Sequence, residues 1–343
     1  MKGLIAVASM GRPTRHLLAG VLAIFGAAVL PQALHAAPAA ATHRTEIVLL
    51  GTKGGPVADA QRSEPATLLL VDGRPYLIDA GAGVARQLAA AGHAPPAVRT
   101  VFITHHHLDH TAGLEPLMAL TWIDAGLAGS VKPPMQIYGP PATGFLVKAA
   151  LNYISVSERI FRAGIPTLPP ASSLFVAHDI DVPGPVYQDD RIRVTAVENR
   201  HFQHPSIGPD GRKDLSLTYR FETPGGSVVV TGDTGPSEAV TRFAEGADML
   251  VSEVYLPSPG AIGNTGGASA ALKAQLAEHM SHEHLTPEEV GKMAARAHVK
   301  TVVLTHIVGE TGPDEDRRLI DGVRKYFHGR VIAGHDLLHV NVR

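Results

Sequence analysis

The chain contains no cysteine in 343 residues. No disulfide framework holds it together, and any metal it carries must be bound through His, Asp or Glu rather than thiolate. Positive charge is not in excess either: 30 Lys and Arg stand against 32 Asp and Glu, net −2, with no basic run to track a phosphate backbone. On that count nucleic acid is an unlikely partner, and a small-molecule ester is the expected substrate. Aromatics are scarce at 5%. Trp122, Tyr153, Phe161 and Tyr255 could wall a pocket, but with so few available each is expected in the core.

Long apolar runs are absent except near the start. Lys2, Arg12 and Arg15 precede the stretch Leu17 to Leu30, and "PQALHAAPAAA" follows with small residues. This reads as a secretory signal peptide over residues 1–40, its apolar core too short for a comfortable transmembrane span. Cleavage between Ala36 and Ala41 removes three positive charges and no negative ones, taking the net charge from −2 to −5. There is no Arg pair for the twin-arginine route and no cysteine for a lipid anchor. The expectation is a periplasmic or secreted protein with no stable membrane insertion after cleavage; oligomerisation is left open.

The remainder, 44–343, reads as one domain. "EIVLLG" is a strand entering a Gly turn, and "ATLLLVDGRPYLI" is a hairpin closed by Asp72-Gly73. Beyond the strand "VRTVFIT", residues 122–190 read as a strand, the helix "FLVKAALNYISVSERIFRAG" and loops. Strands "RIRVTAV", "LSLTYRFET", "GSVVVTGD", "DMLVSEV" and "KTVVLTHI" follow, interleaved with helices "SEAVTRFAEG" and "TPEEVGKMAARAH". A last helix and two strands close the chain. Two β layers flanked by helices fit this order.

The densest chemistry is "VFITHHHLDH", where His105, His107, Asp109 and His110 form H-x-H-x-D-H just past a strand end. In an extended segment residues i and i+2 point the same way, so one cation could take the first pair and another the second. Neutral imidazole with carboxylate suits Zn²⁺, and Mn²⁺ or Fe²⁺ use similar sets. Two cations need more ligands. His201, Asp233 and His306 each end a predicted strand, with His204 a rival to His201.

H-x-H-x-D-H followed by separated His, Asp and His resembles the metallo-β-lactamase superfamily of hydrolases, from about Glu46 to the C-terminus. The resemblance implies a four-layer αββα sandwich with a dinuclear zinc site at one edge. His105, His107 and His201 would hold one metal, Asp109, His110 and His306 the other, and Asp233 would bridge them. Asp79 in "YLIDAG" matches the family's early Asp, which supports the site from behind. True β-lactamases lack the Asp of a "TGDT" segment, which disfavours antibiotic hydrolysis. "SHEHLTPEEVGKMAARAHVKTVVLTHI" looks like the loop, helix and final ligand of the tRNA 3′-end endonucleases (tRNase Z) and the arylsulfatases similar to them. His284 would be the proton donor, with His279 and His282 as rivals, and Asp109 would orient the attacking water as well as bind metal.

The leading expectation is an exported zinc hydrolase of sulfate or phosphate esters, arylsulfatase-like. A lactonase or carboxylic-ester hydrolase and a tRNase Z-type phosphodiesterase are the alternatives, ahead of a non-catalytic metal-binding protein. The loop "SPGAIGNTGGASA" could be a lid or a plain connection.

Overall fold

The segment TEIVLLG is buried at every position, and its side chains divide by parity. Val48 and Leu50 pack on one apolar cluster while Ile47 and Leu49 pack on another, because successive residues of a strand face opposite ways. A strand with apolar residues on both faces must lie inside a layered structure. The computed structural model describes residues 43–129, 133–257, 267–310 and 312–342. The expected signal segment 1–40 and most of "SPGAIGNTGGASA" lie outside them.

In chain order the strands are β1 (Thr45–Gly51), β2 (Ala66–Val71), β3 (Arg74–Ile78), β4 (Thr100–Phe102), β5 (Met135–Gly139), β6 (Phe175–Asp179) and β7 (Gly184–Gln188). They continue as β8 (Arg193–Glu198), β9 (Leu217–Thr223), β10 (Gly226–Val230), β11 (Met249–Tyr255), β12 (Thr301–Val308), β13 (Arg330–Ala333) and β14 (Leu338–Asn341). One sheet runs β14-β1-β2-β3-β4-β5-β6 and the other β13-β12-β11-β10-β9-β8-β7. Each is antiparallel toward one side and parallel toward the other, with β3 to β6 and β10 to β13 parallel.

The helices are α1 (Val84–Ala90), α2 (Leu108–Thr111), α3 (Leu114–Leu127), α4 (Thr143–Gly164), α5 (Glu238–Phe243), α6 (Ala270–Glu283), α7 (Pro287–Arg296) and α8 (Pro313–Arg324). One apolar cluster joins the outer face of the first sheet to α3 and α4, through Leu117, Met118, Trp122, Val147 and Ile154. A second fills the space between the sheets, where Phe102 meets Tyr219 and Phe221 with ring centroids 5.6 and 5.3 Å apart. A third joins the second sheet to α7 and α8 through Val290, Met293, Leu319 and Val323. The layers are therefore helix, sheet, sheet, helix: the αββα sandwich. Among the described residues no helix is long and apolar enough to cross a membrane.

Local chemistry sets the boundaries. Asp72 and Gly73 take φ of 48° and 80°, the left-handed pair that a two-residue hairpin demands. α7 opens with a capping box between Thr286 and Glu289 and Pro287 in its first turn. Two helices depart from the sequence expectation. α3 carries Pro116 in its first turn, where a missing N–H costs nothing, and buries Leu114, Leu117, Met118, Thr121 and Trp122 at helical spacing. α6 buries only Met280 and Glu283, so its apolar period is faint.

α7 and α8 meet closely at Gly291, where an added Cβ would overlap the backbone carbonyl of Val323. Ala normally stabilises a helix interior by about 1 kcal/mol over Gly. Here Gly291→Ala is expected to destabilise by about 1–3 kcal/mol through overpacking, as read by denaturant unfolding.

Candidate metal centre

The carboxyl ends of the parallel strands open toward one edge of the sandwich, where folds of this kind place ligands. β4 leads into His105 and His107, and the single turn α2 then presents Asp109 and His110. β8 leads to His201, β10 to Asp233, and β12 carries His306. The pairing of β11 with β12 shifts register between Glu253 and Val254, leaving His306 as the extra residue of a bulge with φ 42°. Bulges of this kind re-aim a side chain, and strain of this kind gathers at functional sites.

Among the described residues four groups of potential ligands result, two made of the residues expected from the sequence and two that bring in His284, with His201 and Asp233 and with Glu253 and His306. His105, His107 and His201 converge so that one ligand atom from each lies within 4.8 Å of the others, and Asp109, His110, Asp233 and His306 do the same. Asp233 stands between these two groups. One oxygen is 3.3 Å from His110 Nε2, and the other is 3.0 Å from His306, 3.8 Å from His105 and 3.9 Å from His201. His105 Nε2, His110 Nε2 and Asp233 Oδ1 are buried without a hydrogen-bond partner. Buried polar atoms are ordinarily paired, so orphans aimed at one another are what a cation-binding set looks like. The donor set of imidazole and carboxylate fits divalent metal.

The electrostatics agree. Burial pushes His105 well down and His201 to about 3, so both rings are neutral with lone pairs available. Burial opposes ionisation of Asp109 and Asp233, yet neighbouring histidines hold Asp109 at about 2 and Asp233 well below the carboxylate range. Burial likewise disfavours a charge on His306, but Asp233 and Asp109 overcome it and raise its pKa to about 10. The site's negative charge thus demands positive charge, from protonated imidazole or from divalent cations.

A supporting shell fixes the ligands. Asp79, itself at φ 59°, accepts hydrogen bonds from the Thr104 backbone at 2.7 Å, the Thr104 hydroxyl at 2.9 Å and His110 Nδ1 at 2.8 Å. This sets the His110 tautomer and turns Nε2 toward the cluster. Glu253 does the same for His284: one oxygen accepts from His284 Nδ1 at 3.1 Å, and the other from the Thr234 and Leu285 backbones at 3.0 and 3.2 Å. His284 is 5% exposed; burial lowers its pKa, but Glu253 more than restores it, leaving the pKa raised.

Of its rivals, His279 pairs with Glu283 at 3.1 Å and lines the same cleft, whereas His282 is exposed and bonds the Glu278 carbonyl of its own helix. His201 rather than the exposed His204 joins the cluster. Glu253 escaped sequence reasoning, although a carboxylate inside the otherwise apolar MLVSEVY was its signal. Trp122 is core, bonded to the Pro169 carbonyl, Tyr153 is 72% exposed, and neither they nor Phe161 or Tyr255 line the cleft.

The cleft over the cluster has a volume of about 880 Å³. His107 and His279 also line a second depression of about 390 Å³ beside Phe202.

A fold of two mixed seven-stranded sheets with this cluster at its edge defines a hydrolase of the metallo-β-lactamase superfamily, and the family profile "Beta-lactamase superfamily domain" matches residues 74–307. The chain belongs to that superfamily, in its tRNase Z-like branch. It is 32% identical over 301 residues to "Ribonuclease Z" of Mycobacterium bovis, covering 87% of this chain and 98% of the relative. It is 33% identical over 303 residues to that of Mycolicibacterium paratuberculosis, with the same coverage. Among solved structures it is similar in fold to human tRNase Z, short form, with TM-score 0.61, 19% identity and coverage of 87% and 99%. The Bacillus subtilis metallo-β-lactamase fold protein YhfI gives 0.61, 20%, 87% and 99%.

These findings correct one expectation. A small-molecule ester with nucleic acid an unlikely partner does not survive relatives named as ribonucleases across nearly their whole length. The net charge misled because it averages the whole surface, while divalent cations at a cleft floor supply positive charge that no residue count contains. The relatives' names also favour phosphodiester over sulfate chemistry.

Asp79→Ala would free the His110 ring and is expected to weaken divalent-metal affinity about 10–100-fold, measured by zinc titration against a chromogenic chelator.

Proposed function

We propose that this protein is a metal-dependent phosphodiesterase of the ribonuclease Z type, cleaving RNA. The observation that carries this reading is the 32–33% identity to Ribonuclease Z proteins over 98% of their length. Two Zn²⁺ ions would be held by His105, His107 and His201 and by Asp109, His110 and His306, with Asp233 shared. When bound, they would polarise the phosphoryl oxygens and acidify water.

The chain's own residues do the rest. Asp109, fixed by the Gly55 backbone N–H at 3.0 Å, offers a carboxylate to orient the attacking water. His284 donates a proton to the departing oxygen from Nε2, while Glu253 on Nδ1 favours the protonated ring and aims it. The cleft and the depression that share His107 and His279 would leave room for a strand that extends past the scissile bond. We infer as well that segment 1–40 directs export and is removed, which N-terminal sequencing of the mature protein tests. For that reason the reading commits to RNA phosphodiester cleavage and not to maturation of cytoplasmic tRNA.

The test is a 3′-extended RNA hairpin incubated with zinc-loaded protein. Cleavage abolished by chelator is expected; intact RNA beside rapid hydrolysis of bis(4-nitrophenyl) phosphate would contradict the ribonuclease reading. His284→Ala should lower kcat on RNA about 10²–10⁴-fold. It should lower turnover of the nitrophenyl diester far less, because that leaving group needs no proton.

A further inference from the structure

The cleft is poor in positive charge. Among its described lining residues Lys53 is the sole Lys or Arg, whereas Asp59, Glu310 and Glu315 line it beyond the cluster. Its remaining wall is largely apolar, through Val57, Leu108, Leu276, Met280 and Val308. A phosphodiester brings a negative charge with every linkage, so three carboxylates on the wall oppose its entry, and Lys53 is the one Lys or Arg among the described lining residues that counters them.

The backbone of Lys53 is also tied down beside the ligands. Its own N–H donates to the Ser63 carbonyl at 3.0 Å, and the residue bridges to Ile307, next to His306. The Gly54 N–H donates to the Ile307 carbonyl at 3.1 Å, and a Cβ on Gly54 would stand 2.7 Å from His306 Nδ1. The Gly55 N–H bonds Asp109. The backbone of segment 53–55 is therefore packed against two members of the cluster, so the Lys53 side chain starts from a fixed point beside the site. Its Nζ donates once, to the Gly54 carbonyl at 2.9 Å, and an ammonium has three donors.

We propose that Lys53 is the residue that recognises the phosphoryl group: its ammonium donates to a non-bridging oxygen of the scissile diester and selects one anionic linkage over neutral esters. The inference rests on the phosphodiesterase reading. It assigns the specificity of that site to a side chain outside the metal set.

The test compares wild type, Lys53→Met and Lys53→Arg, all zinc-loaded, on bis(4-nitrophenyl) phosphate, which is anionic, and diethyl 4-nitrophenyl phosphate, which is neutral and has the same leaving group. Lys53→Met should lose roughly 10–100-fold in kcat/KM on the anionic diester, mostly in KM, and at least about tenfold less on the neutral triester. Lys53→Arg, which keeps the charge, should lose no more than about threefold. Calorimetric binding of dimethyl phosphate should weaken in step with the diester loss. Equal losses on both esters, unchanged dimethyl phosphate binding, or a Lys53→Met protein that has lost its zinc by elemental analysis would each overturn the assignment. None of these probes contains RNA. Intact RNA with active diester hydrolysis would therefore defeat the ribonuclease reading while leaving Lys53 to its own result.

Discussion

The site depends on keeping two carboxylates, Asp109 and Asp233, ionised at the floor of a cleft where each is 3% exposed. Burying a carboxylate is expensive unless positive charge stands beside it. Four imidazoles lie within 4 Å of Asp233 alone. The fold accepts left-handed backbone to achieve this, with φ of 42° at His306 and 59° at Asp79, a conformation uncommon outside glycine. Such a conformation persists because both residues are fixed from behind. Asp79 is held by Thr104 and His110, and His306 by the shifted register of β12.

Neither sheet could make the site alone. The first contributes His105, His107, Asp109 and His110 from the end of β4, while the second contributes His201, Asp233 and His306. The halves are registered by direct contacts, the Leu217 N–H to the Thr104 carbonyl at 2.9 Å and the Tyr219 hydroxyl to the Ile103 carbonyl at 2.8 Å. Gly232, at φ 60° and against Thr104, lets the turn before Asp233 approach this closely. Packing between the sheets is thus also the alignment of one half of the cluster on the other. The dyad of Glu253 and His284 extends the same principle, since β11 supplies the carboxylate and the end of α6 supplies the ring.

Much of this was readable from the chain. H-x-H-x-D-H announced itself because four ligand-type residues after an apolar strand have no cheap structural explanation, and the hairpin at Asp72-Gly73 had a backbone reason. What was not readable follows from distance in sequence. Glu253 meets His284 across 31 positions, and Lys53 is brought beside the cluster by contacts of segment 53–55 with Ile307, His306 and Asp109, all distant in sequence. Helix α6 hid because it packs few apolar side chains, and α3 hid behind a proline that its first turn tolerates. The partner was misjudged because residue counting is blind to the cations that a set of His and Asp ligands can bind.

In the proposed reading Asp233 joins the two ligand groups into one dinuclear centre. The most direct measurement is metal content by elemental analysis of the purified protein and of Asp233→Ala, after equal exposure to zinc and desalting. The account predicts about two ions per chain in the wild type and loss of both on substitution, because the shared carboxylate serves each. A wild type that retains no metal, or an Asp233→Ala protein that keeps both ions, would contradict it.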